Sequence, residues 1–281
     1  TSIIIPAYDR ADLLDETLYS ISKQKNIDFE IIVVDDNSSN KEIYNICSKH
    51  NVKYYKNDVN SGAQVSRNKG VEVASFNYIA FIDSDDKWET ETKLFNQYKI
   101  LKENLNISVV FTALKYIDIK SKIFNISNLK ISNNQLNNNF DKIILNKDII
   151  GTYSSVMIRK KDFLESGKCN IDLPARQDWD LWIRLSKFGN AHCLMDEYTL
   201  YRIHDNQISS GVGRKIDGFA QLLINHKKYF FERNSKITFY YHLFKLILLQ
   251  KFSGVLSEKF NKVCNENSIF FKISSFFLNI I

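Results

Sequence analysis

Proline is nearly absent, with two in 281 residues, and glycine is sparse at nine. No Gly-x-Gly-x-x-Gly run follows the first apolar segment, which argues against a dinucleotide-dependent oxidoreductase. The four cysteines (Cys47, Cys169, Cys193, Cys264) lie far apart, with no Cys-x-x-Cys pair and no histidine at zinc-finger spacing. We therefore expect buried, reduced thiols. No uninterrupted apolar run of about 20 residues occurs, so a transmembrane helix is not expected. No signal peptide is visible, and no internal repeat is present. The chain opens on Thr1 and Ser2 without methionine, from which we expect a short preceding segment. Ile, Lys and Asn are abundant, which we assign to codon usage rather than function. The net charge of +6 is too mild to argue for a nucleic-acid partner.

Hydrophobic residues make up 44% and charged residues 25%, the usage of a globular chain. At roughly 150 residues per domain, the length allows one large domain or two small ones. The charge is uneven. Residues 214–281 carry 11 Lys and Arg against 4 Asp and Glu, a net of +7, which leaves −1 for residues 1–213.

The first hundred residues alternate between short apolar runs and helical spacing. Strands are expected at Ser2–Pro6, Glu30–Val34, Val52–Lys56 and Tyr78–Ile82. Helices are expected at Asp12–Gln24, Lys41–His50, from Ser61-Gly62 to Ala74, and over Lys87–Asn104. Such a chain predicts an α/β fold with a mostly parallel sheet covered on both faces, where ligands bind beyond the carboxyl ends of the strands. Further strands are expected at Ser108–Ala113, Tyr153–Ile158, Ala191–Met195 and Tyr198–Ile203, with a helix at Gln177–Phe188. The Asn-rich stretch from Asp118 to Lys147 reads as a variable excursion or flap, and helices resume near Lys215.

Two expected strand ends carry acidic clusters, Asp35-Asp36-Asn37-Ser38 and Asp83-Ser84-Asp85-Asp86. Carboxylates gathered there could hold Mg²⁺ or Mn²⁺, whose shells take one or two carboxylates plus substrate phosphates. They could equally be strand-end turns and helix caps. A carboxylate at the first cluster could also accept from a base N–H or a ribose hydroxyl.

Six motifs appear in order: Ser2-Ile-Ile-Ile-Pro6-Ala7-Tyr8; Val33-Val34-Asp35-Asp36-Asn37-Ser38; Asn60-Ser61-Gly62 with Ser66-Arg67-Asn68-Lys69-Gly70; Phe81-Ile82-Asp83-Ser84-Asp85-Asp86-Lys87-Trp88; Gln177-Asp178-Trp179-Asp180-Leu181-Trp182; and Tyr201-Arg202-Ile203-His204. Together, over residues 2–204, they resemble the signature of family 2 glycosyltransferases. That resemblance implies a GT-A (Rossmann-like) fold and inverting, metal-dependent transfer from a nucleoside diphosphate sugar, UDP foremost. It places Pro6, Ala7 and Tyr8 in the base pocket, with Asp36 accepting from the base and Asp35 in support. Arg67 approaches the nucleotide or its diphosphate, and Asp83 and Ser84 belong to the donor site. Asp85 is the implied principal ligand of Mn²⁺ or Mg²⁺, with Asp83 facing the ribose or the metal and His204 contacting the metal or the diphosphate, and Asp178 is the implied general base. The family commonly has Asn where Asp9 stands and Glu where Gln177 stands. The gap between Trp88 and Leu94 is slightly long.

Asp178 could otherwise cap its helix, and Trp179 and Trp182 read as core before sugar platform. Asp180 is expected at solvent or orienting a neighbour; His50, His192, His226 and His242 read as structural. The polar run Asp205–Ser209 could close over a diphosphate. The expected organisation is a catalytic domain over 1–213 and a helical, basic and aromatic extension over 214–281. The extension could pack on the catalytic domain, lie on a membrane surface, or join copies into a homo-oligomer. The expected acceptor is a bacterial surface or lipid-linked glycan, and the expected location is the cytoplasm, at the inner face of the membrane. Two other functions stay open: a nucleotidyltransferase, although Pro6–Arg10 lacks its glycine-rich loop, and a non-catalytic nucleotide-sugar or glycan-binding module.

Overall fold

The structure is a computed structural model that describes residues 1–204, 211–253 and 258–267. The expected loop Asp205–Ser209 and the aromatic run Ser268–Ile281 lie outside them. Strands β1 (Ser2–Ala7), β2 (Glu30–Asp35), β3 (Lys53–Lys56) and β4 (Tyr78–Phe81) alternate with helices α1 (Ala11–Ser22), α2 (Glu42–Lys49) and α3 (Ala63–Val73). These strands pair in parallel in the order β3-β2-β1-β4, with Ala7 beside Asp35 and Asp35 beside Lys56. The carboxyl ends of β1 and β2 therefore stand side by side.

Side chains alternate across the sheet, as a strand's period of two requires. Ile3, Ile5 and Val33 enter one core with Leu14, Leu18 and Ile21 of α1. Ile4, Ile32 and Val34 enter the other, with Val71 of α3. Each such fully buried side chain contributes roughly 1.5–3 kcal/mol. A Cβ at Gly70 would stand 2.5 Å from Cγ2 of Ile4, so glycine there lets α3 lie close on β1 and sets the height of Arg67 one turn earlier.

The second half begins with β5 (Lys87–Trp88), α4 (Lys93–Glu103) and β6 (Ile107–Ile117). The helix expected over Lys87–Asn104 thus starts six residues late. Lys87 and Trp88 pair instead with Leu200 and Thr199, and the Trp88 indole N–H donates to the Ser154 carbonyl, drawing this segment into the sheet. After β7 (Ile123–Ile126), the expected flap is a helix, α5 (Asn133–Asn146). Ser132 and Gln135 form a reciprocal capping box at its start, and Leu136, Phe140 and Ile144 are buried at four-residue spacing. Next come β8 (Met157–Arg159), α6 (Lys160–Glu165), α7 (Gln177–Leu185) and β9 (Asn190–Arg202). β9 replaces two expected strands; its register against β6 shifts between Leu194 and Tyr198, where the sequence pattern breaks. Antiparallel β8 joins β4 to β6, and β6 runs parallel to β9.

Helices α8 (Val212–Glu232), α9 (Lys236–Ser253) and α10 (Glu258–Glu266) follow. Phe219, Phe230, Phe239 and Leu243 of α8 and α9 share a core with Trp179 and Trp182 of α7. Asp180 is buried rather than at solvent: its Oδ2 accepts from Arg184 and its Oδ1 pairs with His226 of α8 at 2.8 Å. His242 meets the Leu145 carbonyl at 2.9 Å. Cys47, Cys169 and Cys193 are free and buried. Among the described residues no helix is long and apolar enough to cross a membrane.

Candidate active site

The ends of β1, β2 and β4 open onto a cleft of about 630 Å³. Pro6, Ala7, Tyr8, Asp36, Arg67, Asp83, Ser84 and Asp85 line one side; Thr152, Tyr153, Arg176, Gln177 and Asp178 line the other. The structure thus brings together seven of the eight sequence-nominated donor residues with Asp85 and Asp178. Asp35 is the exception. It is fully buried beneath the cleft, accepting from the Tyr54 hydroxyl at 2.7 Å and the Ser38 N–H at 2.8 Å. Its part is to hold the turn that carries Asp36.

Asp36 accepts from Asn57 Nδ2 (2.8 Å), Ser61 N–H (2.9 Å) and Gly62 N–H (2.6 Å). These bonds fasten the loop leading into α3 against the end of β2. Each carboxylate oxygen has two acceptor positions, so capacity is left for a ligand.

At the end of β4 each carboxylate has a different setting. Asp83 pairs with Arg67 at 2.5 Å, and that guanidinium lies 3.9 Å from the Tyr153 ring centre. Asp83 and Tyr153 hold the Arg67 cation in place although it is buried, and its pKa stays above the ordinary arginine value. Its Nε is shielded and has no acceptor among the described residues. Asp85 Oδ2 meets both Arg10 Nη1 (2.6 Å) and His204 Nε2 (3.0 Å). Asp86 is buried, accepting from the Ser154 hydroxyl at 2.5 Å and the Arg202 N–H at 2.8 Å. Burial, then the charges of Asp85 and Asp83, push its carboxyl well above the ordinary range. Arg202, fully buried, donates to the carbonyls of Asp85 and Ile119 and to Glu16, tying β9 to the acidic turn.

A divalent cation fits this donor set in a specific way. Among the described residues no group of three or more His, Cys, Asp and Glu side chains forms a protein cage. Asp85 Oδ2 and His204 Nε2 stand 3.0 Å apart, close enough to share one cation, and Asp83 is engaged by Arg67. Two protein ligands suffice where substrate phosphates complete the shell, the usual manner of Mg²⁺. Arg10 would then exchange its carboxylate partner for the same phosphates.

Across the cleft, Asp178 stands in the first turn of α7, half-buried, accepting from the Trp179 N–H at 2.8 Å. The cap residue of α7 is Arg176, so Asp178 is free of the capping role. Burial, and next the charge of Asp148, push its carboxyl up to about 7, against the pull of Arg67 and Arg176. A carboxyl in that range can take up a proton near neutrality. Tyr153 joins the two sides: its ring seats Arg67 and its hydroxyl donates to the Gln177 carbonyl at 3.3 Å.

Arg10, Tyr153, Asp148 and Arg176 were not singled out by sequence reasoning. Arg10 follows the first motif directly, which is a usable signal. Asp148 and Arg176 lie outside every motif and reach the site only through tertiary packing.

The glycosyl transferase family 2 profile matches residues 2–166. The chain is 31% identical to TuaG of Bacillus subtilis (strain 168), a protein named for teichuronic acid biosynthesis, over 74% of this chain and 81% of that one. It is 30% identical to WfaP of Escherichia coli, over 74% of this chain and 79% of that one. WfaP is named a UDP-Glc:alpha-D-GlcNAc-diphosphoundecaprenol beta-1,3-glucosyltransferase. Among solved structures, S. aureus TarS 1-349 with UDP-GlcNAc superposes with a TM-score of 0.62 at 16% identity, covering 88% of this chain and 80% of that one. A longer TarS chain is matched over 39% of its length. The mannosyltransferase PcManGT of Pyrobaculum calidifontis, with GDP-Man and Mn²⁺, gives a TM-score of 0.63 at 13% identity, covering 95% of this chain and 79% of that one. At these identities the structural likeness concerns the fold.

Proposed function

Because the chain belongs to glycosyl transferase family 2, we propose that its cleft moves a hexosyl or N-acetylhexosaminyl group from a nucleoside diphosphate sugar, UDP foremost, to a glycan hydroxyl, with inversion. The observation that carries this reading is the placing of a half-buried carboxyl, raised to about 7, across one cleft from an arginine-rich acidic turn. Single displacement at an anomeric carbon needs a proton acceptor on one side of the sugar and anion stabilisation on the other.

In this reading the base rests against Pro6, Ala7 and Tyr8, with Asp36 accepting from its N–H groups. Asp83 and Ser84 face the ribose, and Arg67 and Arg10 face the diphosphate. Asp178 takes the proton of the acceptor hydroxyl as that oxygen bonds to the anomeric carbon. The bond from that carbon to the β-phosphate oxygen breaks, and its electron pair leaves with the nucleoside diphosphate. A positioned base contributes about 10²–10⁴ in rate. Mn²⁺ or Mg²⁺, held by Asp85 with His204 and Asp83, would supply positive charge to the diphosphate. PcManGT's bound GDP-Man and Mn²⁺ support a metal-assisted donor site in this fold.

WfaP's named acceptor supports a lipid-linked glycan as acceptor, and TuaG's name supports polysaccharide biosynthesis. Such an acceptor lies at a membrane, and we place the protein at the cytoplasmic face as a peripheral enzyme. Helix α9 suits that position. It carries no acidic residue, and Ile237, Tyr241, Leu249 and Phe252 are exposed beside Lys236 and Lys245.

The test is a panel of UDP- and GDP-sugars screened by thermal shift with Mn²⁺. Selective stabilisation by one donor, lost on chelation, is the expected result. No response to any nucleotide sugar would refute the reading.

A further inference from the structure

We propose that Arg176 forms an oxyanion subsite on the acceptor side of the cleft, taking a phosphate or carboxylate group carried by the acceptor. The proposal rests on the glycosyltransferase reading above and deepens it. Three arginines line the cleft. Arg10 pairs with Asp85 and Arg67 with Asp83, but the Arg176 guanidinium makes no hydrogen bond or ion pair among the described residues. Its Nε is shielded from water and has no acceptor. The residue is half-buried, so the Nε donor alone is shielded without a partner while the Nη groups face the cleft, and a shielded unpaired donor calls for an explanation.

What holds Arg176 is apolar. Its guanidinium carbon lies 4.4 Å from the Phe219 ring centre and 5.4 Å from that of Trp179, and those two rings stack at 5.9 Å. Stacking occupies the face of the guanidinium and leaves its N–H edge, the fork that matches phosphate and carboxylate oxygens. The backbone at Arg176, the residue before α7, is left-handed, with φ +62°, an uncommon conformation for a residue other than glycine. Such strain persists where the surrounding structure over-determines it. Burial lowers the Arg176 pKa, with Asp178 and Asp148 acting the other way.

Position assigns the subsite to the acceptor. Arg10 and Arg67 stand with the acidic turn at the strand ends, whereas Arg176 stands two residues before Asp178, which must meet the acceptor hydroxyl. The shared ligand chemistry is an oxyanion near the accepting sugar. It has two sources, the diphosphate of a lipid carrier or the carboxylate of a uronic acid. An arginine present only to offset Asp148 and Asp178 would affect every acceptor alike.

The full chain, as wild type, Arg176→Gln and Arg176→Lys, is assayed with three synthetic acceptors. These are a GlcNAc diphosphate of a short prenol, a glucuronyl-terminated disaccharide methyl glycoside, and neutral methyl GlcNAc. Loss of a charge-assisted pair predicts a KM for one anionic acceptor raised roughly 10- to 100-fold in Arg176→Gln. The KM for the neutral acceptor changes less than about 2-fold, UDP affinity is unchanged, and Arg176→Lys recovers part of the loss, whereas any change in kcat that passes through the Asp178 carboxyl is common to all three acceptors. The anionic acceptor that responds identifies the source. Equal rises in KM on all acceptors, or weakened UDP binding, overturn the subsite. Calorimetric titration of phenyl phosphate and methyl glucuronide into UDP-saturated protein gives a readout without turnover. Binding to wild type but not to Arg176→Gln supports the subsite, and no binding to wild type overturns it. If Arg176→Gln fails to fold, Arg176→Lys carries the comparison. A wild type that binds no nucleotide sugar defeats the glycosyltransferase reading instead, a separate outcome.

Discussion

At the scale of single residues, the site works by unequal treatment of like groups. Asp83 and Asp85 are clothed by arginine and histidine, whereas Asp178 sits against Asp148 in a desolvated wall. Ionising Asp178 therefore costs the fold free energy. With its native pKa raised to about 7 from an ordinary 3.8, the folded state keeps a proton that the unfolded chain has lost. Stability contributed by this group falls as pH rises from about 4 to 7, and activity rises over the upper part of the same window as the base form appears. Asp178→Asn should bind UDP normally and lose transfer by about 10²–10⁴. It should also melt higher than wild type at pH 8, with the difference vanishing near pH 4. An advantage over wild type that is no larger at pH 8 than at pH 4 would contradict the burial argument. The strand-end motifs made Asp36, Asp83, Asp85 and Asp178 legible in the sequence. Asp148 and Arg176 were not, because their influence is a matter of distance in space and neither has a spacing pattern.

At the scale of elements, the first half of the sheet was legible because its strands are short apolar runs bounded by acidic turns. Helix α5 was hidden: six of its 14 residues are asparagine, which ordinarily favours turns. Its capping box and its buried Leu136–Phe140–Ile144 stripe outweigh that propensity. The tail's bearing on the site was also hidden. A Cβ at Gly218 of α8 would meet the Ala175 carbonyl oxygen at 2.5 Å, so α8 presses on the segment that leads through Arg176 into α7 and Asp178. Alanine improves helix propensity over glycine by about 1 kcal/mol, yet overpacking costs about 1–3 kcal/mol. Gly218→Ala should therefore lower both the melting temperature and kcat while sparing UDP affinity. An unchanged kcat would show that α8 does not set the base.

At the scale of the molecule, the mild net charge resolves into two surfaces. A near-neutral region holds the cleft proposed for the donor, and the C-terminal residues hold the positive excess. On α9, Ile237 is 86% exposed and Phe252 is 80% exposed, on a helix whose other face packs into the core. The proposed membrane contact would be made by these exposed apolar groups and the lysines beside them. Ile237→Glu with Phe252→Glu should abolish co-sedimentation with phosphatidylglycerol vesicles while leaving the melting temperature within about 2 °C, since exposed substitutions change stability little. Unaltered sedimentation, with loss of a dimer in solution, would assign the face to self-association instead.

The central claim is that one cleft holds donor and base on opposite sides of the anomeric carbon. The direct test is the proton NMR coupling at the anomeric centre of the first product formed from an α-linked UDP-sugar. The account predicts a β-linked product with release of UDP. An α-linked product would contradict it, because an acceptor oxygen that bonds from the face opposite the leaving diphosphate inverts the anomeric configuration.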